Sequence, residues 1–464
     1  MGSAKLHACT VSTIPTTIEL MATPLISYTE AAEQVHRFIL GMANEGDPLP
    51  PRAPEMLPLA SAQGRVLAQE IRADRDQPPF SRSTRDGFAC RAAEASTNQL
   101  LFLAGQIRAG EAPTKAIRLG ELWEIMTGAP VPAGADAVFM VEHSERSGAG
   151  SSDSSGINSG DFVRLVAPRT IQPGENIVPQ AAEARAGDLL LPPGVRISAP
   201  QIALAAQCGY TQLAVFPRPR VAILSTGDEL VPISSTPGPS QIRNSNSAML
   251  AALVAAAGAD PVILPTAPDQ EHATDAAVAL ALSDETNADL LLITGGISAG
   301  RFDLVEGSLT RAGARFFFGG VAIQPGKPVV FGQLPQPATS PQSRRGPGPL
   351  PFFALPGNPI SSATTFHLFA APLLAALSQD TSPQPRFALA QLPEAWKGNA
   401  GLTRFLPAHC DFSLNQPEMT PRVRLVPWQG SGDIAAFARS NCFAVIPDQV
   451  ATLTEGTLIQ ILIT

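Results

Sequence analysis

The sequence predicts a multidomain protein in which an α/β domain, built on a doubly wound parallel sheet, is combined with β domains. The chain has 464 residues, whereas a single hydrophobic core rarely extends beyond about 250–300 residues. From residue 217 onward, continuous apolar strands alternate with helical segments, which is typical of a parallel sheet covered on both faces. On either side of this region, short alternating segments with frequent glycines indicate β structure.

The first elements along the chain are a helix and a link. A helix is predicted over residues 27–43, because apolar residues recur there at helical spacing: Ala31, Val35, Phe38 and Ile39. Ser27 or Thr29 can cap its start, and Glu30 suits the positive end of the helix dipole. A proline-rich link is expected to follow over residues 47–59.

The next part is expected to be a β domain followed by a short helix. Residues 76–164 hold short alternating segments, and their Ser/Gly-rich stretch at 146–161 is expected to be a flexible loop. Over residues 187–210 the pattern predicts a strand, a turn and a helix that is capped by Ser198 and carries Pro200 in its first turn.

The α/β part then follows, with strands and helices in alternation. The predicted strands are "RVAILSTG", "PVILPTAP", "DLLLITGG" and "PFFALPGNP". The predicted helices are "SNSAMLAALVAAAG", "HATDAAVALALSDETN", "LVEGSLTRAG" and "SSATTFHLFAAPLLAALS". Residues 335–351 are expected to be a disordered insertion, and residues 381–464 a second β module of short strands.

Composition and charge exclude several classes of function. Lys and Arg total 32 against 40 Asp and Glu, and the net charge of −8 disfavours non-specific nucleic-acid binding. The five cysteines lack zinc-ligand spacing and are expected to be free thiols. Residues 1–24, expected to be a loose leader, contain no apolar signal core, and the longest apolar runs fall short of the roughly 20 residues that span a bilayer. We therefore expect a cytoplasmic protein with neither a nucleic-acid nor a membrane partner.

Three strands of the predicted parallel sheet end in polar glycine turns. These segments are "AILSTGDEL" at 222–230, "LLITGGISAG" at 291–300 and "FALPGNPIS" at 353–361. Ligands of doubly wound sheets bind beyond the carboxyl ends of the strands, and the helix N-termini that follow favour anions. An ordinary strand-to-helix loop explains one such turn equally well, but three at one edge predict an anion or nucleotide pocket.

Charged residues near this edge indicate how an anion could be held. Asp228, Glu229 and Asp303 would repel a phosphate, so they are interpreted as ligands of Mg²⁺, which takes carboxylate oxygens and neutralises phosphate. Lys327 precedes Pro328 in a rigid Pro-Gly turn. A lone lysine is usually a solvated surface charge, but one held beside the sheet edge can bind a phosphate or another oxyanion.

Two further polar residues lie in the first β domain. Asp86 precedes a glycine in the turn "STRDGFA", and Thr127 begins the turn "TGAP". Both can simply cap turns, so local chemistry leaves their role open.

Nine motifs occur in an order that resembles a known family. They are "STRDGFA", "IMTGAPVPAGADAVFMVE", "AILSTGDEL", "QIRNSNSAML", "LLITGGISAGRFDLVE", "IQPGKPVVFG", "LPGNPISS", "QGSGDI" and "NCFAVIP". In content and order they resemble the molybdopterin molybdenumtransferases, which include the bacterial MoeA proteins and the E domain of gephyrin. The resemblance runs from the end of the leader to the C-terminus.

The resemblance implies an elongated homodimer of multidomain subunits. The expected domains are a discontinuous linking and dimerisation domain over 25–75 and 165–216, an inserted β domain over 76–164, a molybdopterin-binding α/β domain similar to MoaB and MogA over 217–380, and a C-terminal β-barrel-like domain over 381–464. The active cleft would lie between the α/β domain of one subunit and the β domain of the other.

The resemblance also implies the reaction. Molybdenum from molybdate would be inserted into the dithiolene of adenylylated molybdopterin, with release of AMP and dependence on Mg²⁺. Molybdopterin adenylyltransferase and downstream molybdoenzymes are the expected protein partners.

Matching positions imply roles for individual residues. The implied catalytic residues are Asp86, Thr127, Asp228, Glu229 and Asp303, of which the last three are also the implied metal ligands. The amides of Gly295, Gly296 and Ser298 would meet the substrate phosphate, while Lys327, Ser361 and Ser431 would bind an oxyanion such as molybdate. The implied substrate-binding set is completed by Thr226, Gly227, Ser245, Asn246 and Pro328.

The chain departs from the family pattern at several positions that usually carry a cation, namely Val178, Gln324, Leu402 and Pro407. Glu183 stands where the family usually has Asp, and Arg404 is a candidate for a compensating charge. A charge-assisted hydrogen bond contributes about 1.5–3 kcal/mol, so lost cations would weaken molybdate binding. The alternative to an active transferase is therefore a divergent paralogue that binds molybdopterin as a carrier or delivery factor. A clustering scaffold and an adenylyltransferase are disfavoured, the first by the absence of a fused partner domain and the second by the additional domains.

Overall fold

The structure is a computed structural model, and it describes residues 25–44, 53–95, 99–147, 161–166, 170–295, 302–335, 348–381, 385–412 and 420–464. The expected leader at 1–24 lies outside these ranges, as do most of the expected loop at 146–161 and most of the expected insertion at 335–351. The side chain of Asp303 also lies outside what is described.

The part before residue 217 contains two helices and a series of short strands. In chain order they are α1 Tyr28–Asn44, β1 Glu55–Pro58, β2 Ile71–Arg72, β3 Arg82–Ser83, β4 Gly87–Cys90, β5 Leu100–Ile107, β6 Glu121–Ile125, β7 Ala137–Met140, β8 Ser144–Ser147, β9 Phe162–Leu165, β10 Ile177–Val178, β11 Leu189–Leu191, α2 Ala199–Gln207 and β12 Gln212–Val215. The expected proline-rich link is wrong in part, because β1 forms within it and pairs antiparallel with β12.

Both helices of this part confirm their predicted caps. Before α1, the Glu30 amide donates to Ser27 Oγ at 3.1 Å, and the Ser27 amide donates to the Glu30 carboxylate at 2.8 Å. Before α2, Ser198 and Gln201 form the same reciprocal capping box. The helix starts are therefore fixed by local chemistry that the sequence already displays.

Strands β4 to β9 form a six-stranded sheet in the order β7-β4-β6-β5-β9-β8. Its apolar core includes Phe88, Leu122 and Phe139, each no more than 2% exposed. Gly87 begins β4 so close to β7 that a Cβ on it would lie 1.9 Å from the Phe139 carbonyl oxygen. The chain therefore needs glycine next to Asp86.

The α/β part contains the long helices and the most deeply buried sheet. In chain order its elements are β13 Arg220–Ser225, β14 Leu230–Val231, β15 Ile242–Arg243, α3 Ser245–Ala256, β16 Asp260–Ile263, α4 Glu271–Leu282, β17 Leu290–Thr294, α5 Phe302–Arg311, β18 Arg315–Gly319, β19 Ile323–Gln324, β20 Val330–Leu334, β21 Leu350–Leu355, α6 Pro359–Thr365 and α7 Ala371–Leu377, with a π-helical turn at Phe366–Ala370 between the last two helices. Leu350 and Pro351, expected to belong to the insertion, are instead the first residues of β21.

This sheet has the strand order β16-β13-β17-β21-β20-β18. The first four strands are parallel, as predicted, whereas β20 runs antiparallel to β21 and β18 runs antiparallel to β20. The reason is the connections: parallel neighbours need a crossover helix, and no helix separates β18, β20 and β21 in the described residues. Two apolar clusters cover the sheet, and together they hold β13, β17 and β21 in a dry core.

The last helical run of the α/β part extends from Pro359 to Leu377 through the π-helical turn. Its 19 residues are, by length and composition alone, apolar enough to cross a membrane, and they are longer than the apolar run expected from the sequence. However, 72% of the 18-residue apolar stretch within this run is buried inside the protein, as is typical of a core helix of a soluble protein.

The C-terminal part is a small closed barrel. Its elements are β22 Phe387–Gln391, β23 Trp396–Lys397, β24 Thr403–Asp411, β25 Arg422–Leu425, α8 Ile434–Phe437, β26 Cys442–Ile446, β27 Thr452–Leu453 and β28 Leu458–Ile463. The order β24-β25-β22-β28-β26 closes on itself because β26 also pairs with β24. The short strand β19, which comes from the α/β part, pairs in parallel with β24 and so joins the two parts directly.

Candidate functional site

Three of the predicted glycine turns lie side by side at the carboxyl edge of the parallel strands. In the strand register Ser225 is opposite Thr294, and Thr294 is opposite Leu355, so β13, β17 and β21 end at the same level. The Thr226 amide donates to the Thr294 carbonyl at 3.0 Å, which carries the pairing one residue beyond β13. Only the third of these turns leads directly into a helix within the described residues, because β14 and β15 intervene between β13 and α3.

Gly295 is the closest point of contact between these turns. Its φ is +96°, and a Cβ on it would lie 2.2 Å from the Thr226 carbonyl oxygen. A Cβ on Gly357 would lie 3.5 Å from the Gly295 Cα, so the third turn comes within van der Waals distance. Glycine at 295 therefore allows the backbones of the three turns to come close together at the sheet edge, where ligands of such sheets bind. Gly296 and Ser298 lie outside the described residues, and their expected roles stay predictions.

A polar network connects the turns to the start of α3. The Asn246 side-chain amide donates to Thr294 Oγ1 at 2.9 Å and to the Gly357 carbonyl at 2.7 Å. Because a carbonyl can only accept, this contact fixes which end of the Asn246 amide is nitrogen. Asn246 Oδ1 and Thr226 Oγ1 are buried and have no hydrogen-bond partner among the described residues. Buried polar atoms are nearly always paired in native proteins, so these two atoms indicate a place for a ligand.

Ser245 is the first residue of α3, next to this network. The residue before it, Asn244, caps the helix by accepting from the Ser247 amide at 3.1 Å. Sequence reasoning missed this cap, although an asparagine before an apolar helical run is a recognisable signal.

The acids that follow β13 are held by backbone contacts. An oxygen of the exposed Asp228 carboxylate accepts from the Asp269 amide at 3.0 Å. The Glu229 carboxylate folds over Gly227, where a Cβ would lie 2.7 and 2.8 Å from its two oxygens. Within the described ranges no three His, Cys, Asp or Glu side chains are grouped so that they could hold a metal ion. The expected ligand set with Asp303 therefore stays a prediction.

The barrel contributes Ser431 to the start of α6. The Ile360 amide donates to the Ser431 carbonyl at 3.0 Å, and the Asn358 side chain donates to Ser431 Oγ at 2.9 Å. Asn358 is the residue that precedes α6, and sequence reasoning did not single it out. The predicted oxyanion residue Ser361 lies in the same first turn and is only 4% exposed.

Lys327 lies in the turn between β19 and β20. Its side chain is exposed, whereas Pro325 and Gly326 are buried. A Cβ on Gly326 would lie 2.7 Å from Thr365 Cγ2, so the turn packs against α6. Thr365 Oγ1 in turn donates to the Ser361 carbonyl at 2.8 Å. Lys327, Pro328 and Ser361 are thus on adjoining elements, and Ser431 reaches the same helix from the barrel.

Arg404 on β24 contacts Gln324, the last residue of β19 before the turn with Lys327. In the β19–β24 register Gln324 is directly opposite Arg404, and an Arg404 Nη atom donates to the Gln324 side-chain oxygen. The second Nη donates to the Asn399 carbonyl at 2.9 Å. Sequence reasoning named Arg404 but could not place it.

Asp86 precedes β4 and Thr127 follows β6, and the pairing of these two strands brings the residues together although they are 41 positions apart. Asp86 Oδ1 accepts from the Thr127 amide at 2.6 Å and from Thr127 Oγ1 at 2.8 Å. These hydrogen bonds, the backbone one first, lower the pKa of the Asp86 carboxyl. Both residues are exposed and lie on a different sheet from the turns of the α/β part. Their contribution to a cleft shared between subunits stays a prediction.

The chain matches family models along most of its length. Residues 26–209 match the MoeA N-terminal region (domain I and II), residues 222–376 match the probable molybdopterin binding domain, and residues 390–464 match the MoeA C-terminal region (domain IV).

Curated relatives and solved structures agree with these matches. The molybdopterin molybdenumtransferase of Bacillus subtilis is 32% identical over 414 residues, covering 88% of this chain and 89% of that protein. The enzyme of the same name from Nostoc sp. is 32% identical over 360 residues, covering 76% of this chain and 75% of that protein. The crystal structure of the molybdopterin biosynthesis MoeA protein from Pyrococcus horikosii is 28% identical, with a TM-score of 0.65 over 95% of this chain and 99% of that one. A second structure of a Pyrococcus horikoshii MoeA protein shares the fold, with a TM-score of 0.71. The chain is a member of the molybdopterin molybdenumtransferase family.

Proposed function

We propose that this protein is a molybdopterin molybdenumtransferase, which inserts molybdenum from molybdate into adenylylated molybdopterin and releases AMP. The observation that supports this most is the meeting of three glycine turns at one sheet edge, beside Thr226 Oγ1 and Asn246 Oδ1, which have no hydrogen-bond partner among the described residues. Such an edge suits a phosphorylated substrate with additional polar groups. The Lys327 turn, packed on the helix that carries Ser361, suits a second anion nearby.

The chain's residues would act mainly by binding and positioning. The backbone at Gly227 and Gly295 would approach the substrate phosphate, and Asn246 would accept a hydrogen bond from an N–H or O–H of the substrate. Lys327 and the Ser431 segment would hold molybdate close to the dithiolene. Bringing two anions together requires donors that are already in place, because preorganised groups need not be reoriented when the reaction occurs.

Mg²⁺ suits the donor set of this site. Asp228 and Glu229 supply carboxylate oxygens, the ligands that Mg²⁺ prefers, and Asp303 is the proposed third ligand. When bound, the ion would neutralise charge on the substrate phosphates. The backbone contact at Asp228 orients one carboxylate for this role.

Asp86 and Thr127 are proposed to complete the site from a second subunit. Their shared hydrogen bonds hold the Asp86 carboxylate in one orientation and favour its charged form. We further propose a cytoplasmic homodimer that receives its substrate from molybdopterin adenylyltransferase and passes its product to molybdoenzymes.

The test is to mix the purified protein with adenylylated molybdopterin, Mg²⁺ and molybdate, and to measure AMP release. Release that depends on molybdate is expected, and an Asp228→Asn/Glu229→Gln variant should lose most of it. The exposed Asp284→Asn/Glu285→Gln pair, from the loop after α4, is the matched control and should retain activity. If the protein binds adenylylated molybdopterin but releases no AMP at any molybdate concentration, it is a carrier rather than a transferase.

A further inference from the structure

Arg404 is a half-buried cation on β24, opposite Gln324, a position where the family usually carries lysine. The short strand β19 leaves the α/β part and pairs with β24 of the barrel, with the Thr403 amide donating to the Ala322 carbonyl at 3.0 Å. This pairing places Arg404 opposite Gln324, three residues before Lys327. Arg404 is therefore directly opposite the residue that leads into the turn with Lys327.

The hydrogen bonds of Arg404 leave part of its guanidinium without a partner. One Nη donates to the Gln324 side chain and the other to the Asn399 carbonyl at 2.9 Å. The Nε atom is buried and has no partner among the residues that the structure describes. A guanidinium carries five N–H donors, keeps its charge at every physiological pH and accepts nothing. An unpaired, buried N–H on such a group is uncommon and indicates a missing acceptor.

The surroundings limit what that acceptor can be. Lys327 is exposed on the same turn, and the turn is packed on the helix that contains Ser361. A ligand with several negative oxygens can accept hydrogen bonds from a guanidinium and from an ammonium on the neighbouring turn. Arginine also binds such ligands through two parallel hydrogen bonds, which a lysine cannot do.

We propose that Arg404 binds a tetrahedral, doubly charged oxyanion, either molybdate or the substrate's phosphate, and so replaces the cation missing at position 324. Gln324 is its positioning residue: the side-chain oxygen accepts from Arg404, which a lysine ammonium at 324 could not do. An ammonium there would also repel the guanidinium. The two positions thus carry one charge between them. This inference rests on the proposed transferase function for the identity of the oxyanion.

The first test measures AMP release as a function of molybdate concentration, and separately of adenylylated molybdopterin concentration. Removing one charge-assisted contact weakens binding roughly 10- to 100-fold. We therefore expect Arg404→Gln to raise the half-saturating molybdate concentration by that factor, with a smaller effect on turnover at saturation. Arg404→Lys should give a half-saturating molybdate concentration between those of the unaltered protein and Arg404→Gln, because lysine keeps the charge but cannot form two parallel hydrogen bonds. A rise confined to adenylylated molybdopterin would identify the phosphate as the oxyanion and equally support the role of Arg404.

Two further variants separate this role from a structural one. Gln324→Lys/Arg404→Gln moves the charge across the strand pair and should recover most of the lost affinity. Arg424→Gln removes an exposed arginine from β25 of the same barrel and should change neither half-saturation value. Unchanged half-saturation for both substrates in folded Arg404→Gln would overturn the proposal, as would failure of the charge-moved variant to recover while its melting temperature stays normal.

Failure of the transferase proposal gives a different result. In that case the unaltered protein releases no AMP at any molybdate concentration. The role of Arg404 in anion binding is then tested by calorimetry. The affinities for molybdate and for inorganic phosphate are compared between the unaltered protein and Arg404→Gln. Weaker binding by the variant supports the role of Arg404, and equal binding refutes it.

Discussion

Replacing Gly295 by alanine tests whether the sheet edge is shaped by close backbone approach. The residue has φ +96°, a region that costs a non-glycine residue about 1–3 kcal/mol. In addition, the new Cβ would lie 2.2 Å from the Thr226 carbonyl oxygen, far inside van der Waals contact. To remove this clash, the turns after β13 and β17 must move apart, which we expect to cost a similar further free energy. We expect Gly295→Ala to destabilise this part of the protein by about 2–6 kcal/mol in total.

The matched control is Gly110→Ala. Gly110 has φ +88°, but apart from its two chain neighbours no atom of the described residues lies within 4 Å of a Cβ placed on it. This variant therefore carries only the cost of the backbone conformation, about 1–3 kcal/mol. The assay is urea denaturation followed by fluorescence and by circular dichroism, together with calorimetric binding of adenylylated molybdopterin. Gly295→Ala should show the larger shift and should also lose substrate affinity. Equal midpoints for the two variants, or unchanged substrate affinity in Gly295→Ala, would refute the reasoning.

Three further predictions follow from single contacts. Gly357→Ala should leave the unfolding midpoint unchanged or slightly raised, because the nearest described atom outside its chain neighbours lies 3.5 Å from the new Cβ. It should still weaken substrate binding measured by calorimetry, because the methyl group fills space beside Gly295. Thr127→Val should raise the pKa of Asp86 towards its ordinary value without reaching it, because the backbone amide at position 127 still donates to the carboxylate. An NMR titration of the Asp86 carboxyl carbon measures the pKa, and an unchanged pKa in the variant would contradict the prediction. Burial lowers the pKa of His367 from 6.5 to about 4. Between these two pH values the unfolded chain binds a proton that the folded protein does not, so the free energy of unfolding falls by roughly 3 kcal/mol as the pH drops through this range. His367→Gln should remove this slope in denaturation measured between these pH values, and the exposed His409→Gln should retain it.

Local chemistry made much of the fold predictable. The caps at Ser27 and Ser198, the apolar strands and the glycine turns each depend on residues close together in sequence. The edge at which the turns meet was also predictable, because parallel strands joined by helices present their carboxyl ends on one side. That expectation required no knowledge of side-chain positions.

Pairings between distant segments were not predictable in the same way. The strand β19 has only two residues, and nothing in Ile323 or Gln324 indicates that they join the barrel rather than the adjacent sheet. The contact of Ser431 with α6 likewise depends on how two parts of the chain pack. The sequence identified Gln324 as a departure from a pattern and Arg404 as a candidate for a compensating charge, whereas only the structure shows that they are partners.

The most direct test of the proposed reaction measures AMP and molybdenum in the same samples. After one turnover with adenylylated molybdopterin, Mg²⁺ and molybdate, AMP is quantified by chromatography and pterin-bound molybdenum by mass spectrometry. If the protein is a molybdenumtransferase, the two amounts are equal and both vanish without molybdate. AMP released without incorporated molybdenum, or substrate bound with neither product formed, would contradict it.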